Sequence, residues 1–216
     1  MSKIEIRQDM LDFARSFIES HDPLGTKLNT RFPFRKLYEH GVRCAHWARR
    51  IAMVEGADVE IAQISALFHD IGKSMDNTLE GHAKMGADIC DTFLRSIGLD
   101  ADKRVHIVDI VRDHIHHAKR HDASLEAKVQ SDADLLDEVG AITVLWDAMD
   151  EGTRPDCSYE TAFERIANVC MKRQHDGDAS YHTETARRFV CARTRFLQHF
   201  VDNLAYELGR SELVDE

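Results

Sequence analysis

The sequence predicts an all-α fold, a helical bundle of about eight helices, and two observations indicate it. The 216 residues include only 3 prolines and 11 glycines, and folds built from many short strands need more turn-forming residues than this. Apolar residues recur at spacings of three and four along most of the chain, and no short segment alternates cleanly between apolar and polar residues. We therefore expect amphipathic helices that bury one face each.

The first three predicted helices each carry an apolar stripe. A loop over residues 21–33, rich in turn-forming residues, separates the first helix from the second. Glycines end the second and third helices, as is usual at helix C-termini. The stripes are Leu11, Ala14, Phe17 and Ile18 in residues 8–20, Leu37, Cys44, Ala48 and Ile51 in residues 34–55, and Ile61, Ile64, Leu67 and Phe68 in residues 58–71.

The remaining helices are predicted from the same spacing. Residues 157–173 and 180–208 are amphipathic throughout, and no flexible linker separates them from the rest, so we expect one domain over residues 1–216. The other stripes are Met85, Ile89 and Phe93 in residues 82–97, Val108, Val111 and Ile115 in residues 101–118, and Val129, Ala133, Leu136, Ile142 and Leu145 in residues 124–150.

Charge and cysteine usage exclude several classes of protein. The net charge of −10 argues against a dedicated nucleic-acid binder, which needs a basic surface. The five cysteines are odd in number and form no C-x-x-C pair, so a disulfide framework is not expected and a reducing compartment fits better. The sequence lacks an apolar signal segment and an 18-residue apolar run, so it predicts a cytoplasmic protein without a membrane span.

Several of the 13 histidines lie on helix faces that should point inward. The residues in question are His40, His69 with Asp70, His82, His114 and Asp134, each in register with apolar neighbours. Any single one of them is well explained as a hydrogen-bonded core residue. Buried carboxylates are costly unless they are paired or bind a metal, so the whole set favours a divalent cation. Mixed nitrogen and oxygen donors suit Mn, Fe, Co, Ni or Zn.

The motifs around these residues resemble the HD-domain superfamily of metal-dependent phosphohydrolases. His40 begins H-x-x-R-x-A, and His69-Asp70 lies within A-L-F-H-D-I-G-K. The segment E-G-H-A-K-M-G-A-D-I, which contains His82, resembles the one that follows H-D-I-G in ribonuclease-Y-type domains. D-A-D-L-L-D-E-V-G-A-I and the C-terminal segment resemble small, free-standing bacterial HD hydrolases. The resemblance covers about residues 34–208 and implies an HD core at 34–150 with a helical extension at 157–208 packed on it.

The resemblance implies the roles of individual residues. His40, His69, Asp70 and Asp134 would bind one cation, with Asp132 as the alternative to Asp134, and His82 and His114 would bind a second ion or contact phosphate. Asp70 and Lys73 would act in catalysis, with Asp70 orienting water and Lys73 neutralising a phosphate oxygen or protonating the leaving group. Arg43, Lys73 and His114 would contact substrate. A solvated Lys73 and a surface Arg43 remain open alternatives.

The expected function is hydrolysis of a nucleotide or another small phosphate ester or anhydride, with one or two ions, manganese among those expected. Leu135 stands where the family commonly has arginine, which puts the identity of the substrate in doubt. Two alternatives remain: a di-iron oxygenase resembling myo-inositol oxygenase, which uses the same six donor types, and a regulatory module without catalysis. The sequence allows a homodimer and does not specify one.

Overall fold

The computed structural model describes residues 6–22, 34–119, 122–171 and 180–211. Within these residues the secondary structure is helical and contains no strand, which confirms the all-α prediction. The helices are α1 Gln8–His21, α2 Leu37–Glu55, α3 Val59–Phe68, α4 Leu79–Ser96, α5 Ala101–Asp113, α6 Leu125–Leu136, α7 Ala141–Glu151, α8 Tyr159–Arg165 and α9 Glu184–Glu207. Residues 23–33, most of the predicted loop at 21–33, lie outside the described residues.

The helix boundaries follow from capping groups and from glycine. Side chains of Asp58, Thr78, Asp100, Ser124, Ser158 and Thr183 accept backbone N–H bonds at the starts of α3, α4, α5, α6, α8 and α9. The single helix predicted over 124–150 is wrong: Gly140 adopts a φ of 83°, which interrupts the helix and separates α6 from α7. Two predicted helix ends are short 3₁₀ turns instead, Ile71–Ser74 after α3 and His114–Lys119 after α5.

The chain forms two compact units, Met1–Asp137 and Glu138–Glu216. The first contains α1 to α6, and its core includes a stack of three aromatic rings, in which the centroids of Phe13 and Phe93 are 4.0 Å apart and Phe68 packs beside them. The second contains α7 to α9 and has a smaller apolar cluster that includes Leu197. The grouping of residues 34–150 as one core with 157–208 packed on it stays a prediction.

Gly72 permits the close packing of the first 3₁₀ turn against α4. A Cβ atom at this position would lie 2.1 Å from the carbonyl oxygen of His82 and 2.7 Å from the backbone nitrogen of Gly86. Any side chain here would therefore push the turn away from α4. The glycine of the H-D-I-G motif thus sets the distance between the Asp70 segment and the helix that carries His82.

Two further expectations concern the cysteines and the membrane. All five cysteines are free thiols, as their number and spacing predict. None of the helices among the described residues combines the length and the apolar character that a membrane span requires.

Candidate metal centre

The first unit brings together all six donors predicted from the sequence. They come from three helices and from the ends of two others, so that no short segment of the chain could form the site alone. The donors are His40 on α2, His69 and Asp70 directly after α3, His82 on α4, His114 directly after α5 and Asp134 on α6. The ends of α3 and α5 aim their side chains into the bundle because both helices change there into 3₁₀ turns.

The first cluster consists of four donor atoms grouped around His40 and His69. His40 Nε2 lies 3.3 Å from His69 Nε2 and 3.2 Å from Asp134 Oδ1. Asp70 Oδ2 is 3.7 Å from His40 Nε2 and 3.5 Å from His69 Nε2. Donors held about 2.0–2.2 Å from one ion at angles of 90–110° are about 2.8–3.6 Å apart. Three of the four distances fall in this range and the fourth, at 3.7 Å, lies just above it, so the spacing is close to that of ligands around a single transition-metal ion.

The second cluster is built on the other oxygen of the same aspartate. Asp70 Oδ1 lies 3.5 Å from His82 Nε2 and 3.4 Å from His114 Nε2, and these two nitrogens are 3.1 Å apart. The carboxylate of Asp70 thus contributes one oxygen to each cluster. Two groups of residues could hold a metal ion: His40, Cys44, His69 and Asp134 form one, and Asp70, His82 and His114 form the other.

The four histidines all present an unprotonated Nε2 in their neutral form. Each ring donates its Nδ1–H to a protein oxygen 2.7–2.8 Å away, and this bond fixes the tautomer. The acceptors are Asp137 Oδ2 for His40 and the backbone carbonyl oxygens of Ala66, Thr78 and Val111 for His69, His82 and His114. Two Nε2 lone pairs therefore face each other in each cluster, an arrangement that a shared cation or a proton must relieve.

Asp70 also carries an orphaned atom. Its side chain is only 7% exposed, and its Oδ1 has no hydrogen-bond partner among the described residues. A buried carboxylate oxygen without a partner is costly. The other oxygen of Asp70 accepts a bond from Lys73 Nζ at 2.5 Å. The residues thus fit a divalent cation on chemical grounds, since neutral imidazoles and ionised carboxylates are its ordinary ligands.

The pKa shifts of the clustered residues also favour a bound cation. Burial would raise the pKa of the Asp70 and Asp134 carboxyls, but the charge of His69 and the neighbouring imidazoles hold both well below the usual range. Burial would lower the pKa of His69, but Asp70 and Asp134 raise it well above normal. The negative charge of the Asp70 and Asp134 carboxylates favours any positive charge between these residues, whether a proton on an imidazole or a bound cation.

Asp137 is a part of the site that the sequence predictions missed. It accepts the Nδ1–H of His40 at 2.8 Å and two bonds from Arg43, Nε to Oδ1 at 2.7 Å and Nη2 to Oδ2 at 2.9 Å. These bonds keep its pKa below the usual value despite burial. Arg43 therefore orients the group that orients His40, and its predicted contact with substrate stays a prediction. The spacing D-x-x-D from Asp134 was the available signal.

Two more side chains lie close to the predicted donors. Cys44 is fully buried, and its Sγ is 3.7 Å from His40 Nε2, within the first group of donors. Cys44 lies one turn after His40 on the apolar stripe of α2, so the sequence does not distinguish it from an ordinary core residue. Of the two aspartates weighed at the last motif, Asp134 brings its carboxylate to the cluster, whereas Asp132 is fully buried and lies outside both groups.

A cavity of about 250 Å³ opens onto the second cluster. Its polar wall combines the donors with Lys73 and Ser131, and aliphatic side chains form the rest. The lining residues are Asp70, Lys73, Leu79, His82, His114, Ile115, Ser131, Asp134 and Leu135. A molecule in this cavity would contact the donors, a cationic amine and an apolar wall at once.

Comparison with known proteins identifies the family of this arrangement. The model of the HD domain matches residues 37–138, which contain all six donors and Asp137. Residues 37–138 form an HD domain. Its fold is that of the HD-superfamily hydrolases, and its His and Asp donors occupy the matched segment.

Three similar proteins illustrate the relationship. Ribonuclease Y of Chloroflexus aurantiacus is 39% identical over 79 residues, which are 34% of this chain but only 16% of that ribonuclease. The structure of a predicted HD-superfamily hydrolase from an uncultured Thermotogales bacterium superposes with a TM-score of 0.65 at 25% identity, covering 94% of this chain and 92% of that one. The structure of Bacillus subtilis YpgQ in complex with ADP superposes with a TM-score of 0.59 at 21% identity, covering 91% of this chain and 97% of that one.

Proposed function

We propose that this HD-domain protein is a metal-dependent phosphohydrolase that acts on a nucleotide or another small phosphate ester or anhydride. The observation that carries the proposal is the convergence of four Nε2 atoms on the two oxygens of Asp70, of which Oδ1 has no hydrogen-bond partner among the described residues. Four of the six donors line the cavity: Asp70, His82, His114 and Asp134. A buried donor set that is open to a cavity is what a catalytic metal site requires.

In the proposed enzyme, the two clusters hold the ions. His40, His69, Asp134 and Asp70 Oδ2 would hold one, and His82, His114 and Asp70 Oδ1 would hold the other. A bound divalent cation lowers the pKa of water and polarises a phosphoryl oxygen. Asp137 fixes the tautomer and orientation of His40, and backbone carbonyl oxygens do the same for the other three rings.

The remaining polar groups would handle substrate and protons. Lys73 lines the cavity with its side chain 29% exposed, so its amine is available to a phosphate oxygen or to the leaving group. Its bond to Asp70 holds the amine beside the donors. Asp70 would orient the attacking water, and His114 would contact the phosphate when it does not bind an ion.

A nucleotide substrate is supported by the cavity and by one structural neighbour. The aliphatic side chains of Leu79, Ile115 and Leu135 line the cavity beside the donors, so an organic group attached to phosphorus would find an apolar surface. Bacillus subtilis YpgQ has been crystallised with ADP. We therefore expect a nucleoside phosphate to be the best starting point for a search.

The test is a substrate screen with the metal-loaded protein. Phosphate or pyrophosphate release would be measured from nucleoside mono-, di- and triphosphates, a chromogenic phosphodiester and an RNA oligonucleotide, in the presence of Mn²⁺. His69→Ala and Asp70→Ala should each lower kcat/KM by roughly a thousandfold or more, because each removes a ligand on which the chemistry depends. His199→Ala is the matched control, because it deletes an exposed histidine of α9 in the second unit.

Three outcomes would contradict the proposal. Activity that survives both ligand substitutions would overturn the site. Two bound irons with a visible iron–oxo absorption band, O₂ consumption and no phosphate release would identify the oxygenase alternative. Metal binding without turnover of any substrate in the screen would favour a regulatory module.

A further inference from the structure

Ser131 lies on the wall of the cavity and has no role in the site as derived so far. It is on α6, three residues before Asp134 and four before Leu135, so that all three share one face of the helix. Ser131 is only 7% exposed, and it lines the same cavity as the second cluster of donors. Its side chain is thus enclosed by protein and yet adjacent to the space that a substrate would fill.

The hydroxyl of Ser131 differs from those of other serines in the helical segments. Ser65, Ser74 and Ser96 each donate to the carbonyl oxygen three residues earlier, at 2.7–3.1 Å. Such local bonds are the ordinary way to satisfy a hydroxyl on a helix. Ser131 makes no such bond and has no hydrogen-bond partner elsewhere in the described part of the chain. Its oxygen is not among the fully buried atoms that lack a partner, so the hydroxyl opens onto the cavity and is free to donate to a molecule bound there.

The other polar atoms of the cavity limit what that partner is. The Nε2 atoms and carboxylate oxygens are acceptors, and a bound cation would occupy them. With a cation bound, two side-chain groups among the described lining residues can still donate a hydrogen bond into the cavity: Lys73 Nζ and Ser131 Oγ. Phosphoryl oxygens are acceptors only, and they bind donors through strong, charge-assisted hydrogen bonds.

We propose that Ser131 Oγ donates a hydrogen bond to a non-bridging oxygen of the phosphoryl group bound at the donor clusters. Ser131 is then a substrate-binding residue of the hydrolase, and this role rests on the function proposed above. The helix α6 contributes Asp134 to the cation, Ser131 to the phosphoryl oxygen and Leu135 to the organic group, so that one rigid element aligns all three.

The experiment measures binding of inorganic phosphate by calorimetry to the Mn²⁺-loaded protein, together with kcat and KM for the best substrate of the screen. Ser131→Ala should weaken phosphate binding and lower kcat/KM by about tenfold or more, since a hydrogen bond to a charged group is lost. Ser131→Thr keeps the hydroxyl and should recover most of the affinity. Ser65→Ala is the matched control, because that buried hydroxyl bonds only to its own helix.

Metal content and the thermal midpoint separate this role from a structural one, and both should be unchanged in Ser131→Ala. The proposal is overturned if Ser131→Ala binds phosphate as tightly as the wild type, or if Ser131→Thr is as weak as Ser131→Ala. A wild-type protein that binds phosphate but cleaves nothing refutes the hydrolase and leaves the hydroxyl contact to stand on its own affinity data. A wild-type protein that binds no phosphate refutes both.

Discussion

Replacing Asp137 by alanine tests whether the metal centre depends on a residue that binds no metal. The carboxylate accepts one bond from His40 and two from Arg43. Removal leaves His40 without the acceptor that fixes its tautomer, so its Nε2 no longer has to carry the lone pair that faces His69. We therefore expect weaker metal binding, although all six donors remain in the chain.

The magnitude follows from the bonds that are lost. Substitution of a group that orients a ligating histidine typically weakens metal binding 10–100-fold, which corresponds to about 1.4–2.7 kcal/mol. The ion pair contributes to folding as well, but the Arg43 side chain is 35% exposed. Water screens such a pair, so we expect its loss to cost about 1–2 kcal/mol of folding free energy.

The assay is competition for Zn²⁺ or Mn²⁺ against a chromogenic chelator of known affinity, with chemical denaturation in parallel. Asp91→Ala is the matched control, because Asp91 also pairs with two arginines, Arg95 and Arg104, away from the cavity. It should lose stability and retain metal affinity. A dissociation constant for Asp137→Ala within twofold of the wild type would show that His40 needs no orienting partner.

Two further predictions concern packing and pH. Gly72→Ala should lower the thermal midpoint of unfolding by roughly 2–12 °C, because the new Cβ meets the His82 carbonyl oxygen and overpacking of this kind costs about 1–3 kcal/mol. Gly152→Ala is the control and should change the midpoint little, because the atom nearest to its Cβ would be 3.4 Å away. The raised pKa of His40 and His69 stabilises the metal-free fold fully below about pH 6.5, and this contribution disappears as pH rises through the folded pKa. The thermal midpoint of the protein freed of metal by a chelator should therefore fall as the pH is raised above about 6.5. Metal affinity should rise over the same range, because protons stop competing for the ligand atoms. Calorimetric scans in which the midpoint does not change with pH would contradict this.

The helices were largely predictable because their signal is local. Apolar spacing and capping residues depend only on neighbours a few positions away, and the predicted segments agree with the observed helices to within a few residues in most cases. The exception at 124–150 has a local cause that spacing does not show. The apolar period continues across Gly140, but the backbone there is left-handed, so the helix cannot continue.

The donors were predictable as residue types and not as a geometry. His40, His69, Asp70 and Asp134 stand out because they interrupt apolar faces and match the H…HD…D order. The structure places the Nε2 atoms of His40 and His69 3.2–3.7 Å from one another and from one oxygen of each aspartate. Ser131 and Cys44 gave no such signal, because a small side chain on a helix face reads as ordinary packing. Their relation to the site depends on what they face, which is His40 Nε2 for Cys44 and the cavity for Ser131.

The sequence by itself determined the helical class and the family, and it predicted the candidate donors, because each depends on local periodicity or on short motifs. Only the tertiary structure decided that Asp70 contributes one oxygen to each cluster, that Asp134 rather than Asp132 reaches them, and that Arg43 bonds to Asp137. The bond from His40 to Asp137 joins residues 97 positions apart. Contacts at that separation form when helices pack, and the pattern within any one helix does not contain them.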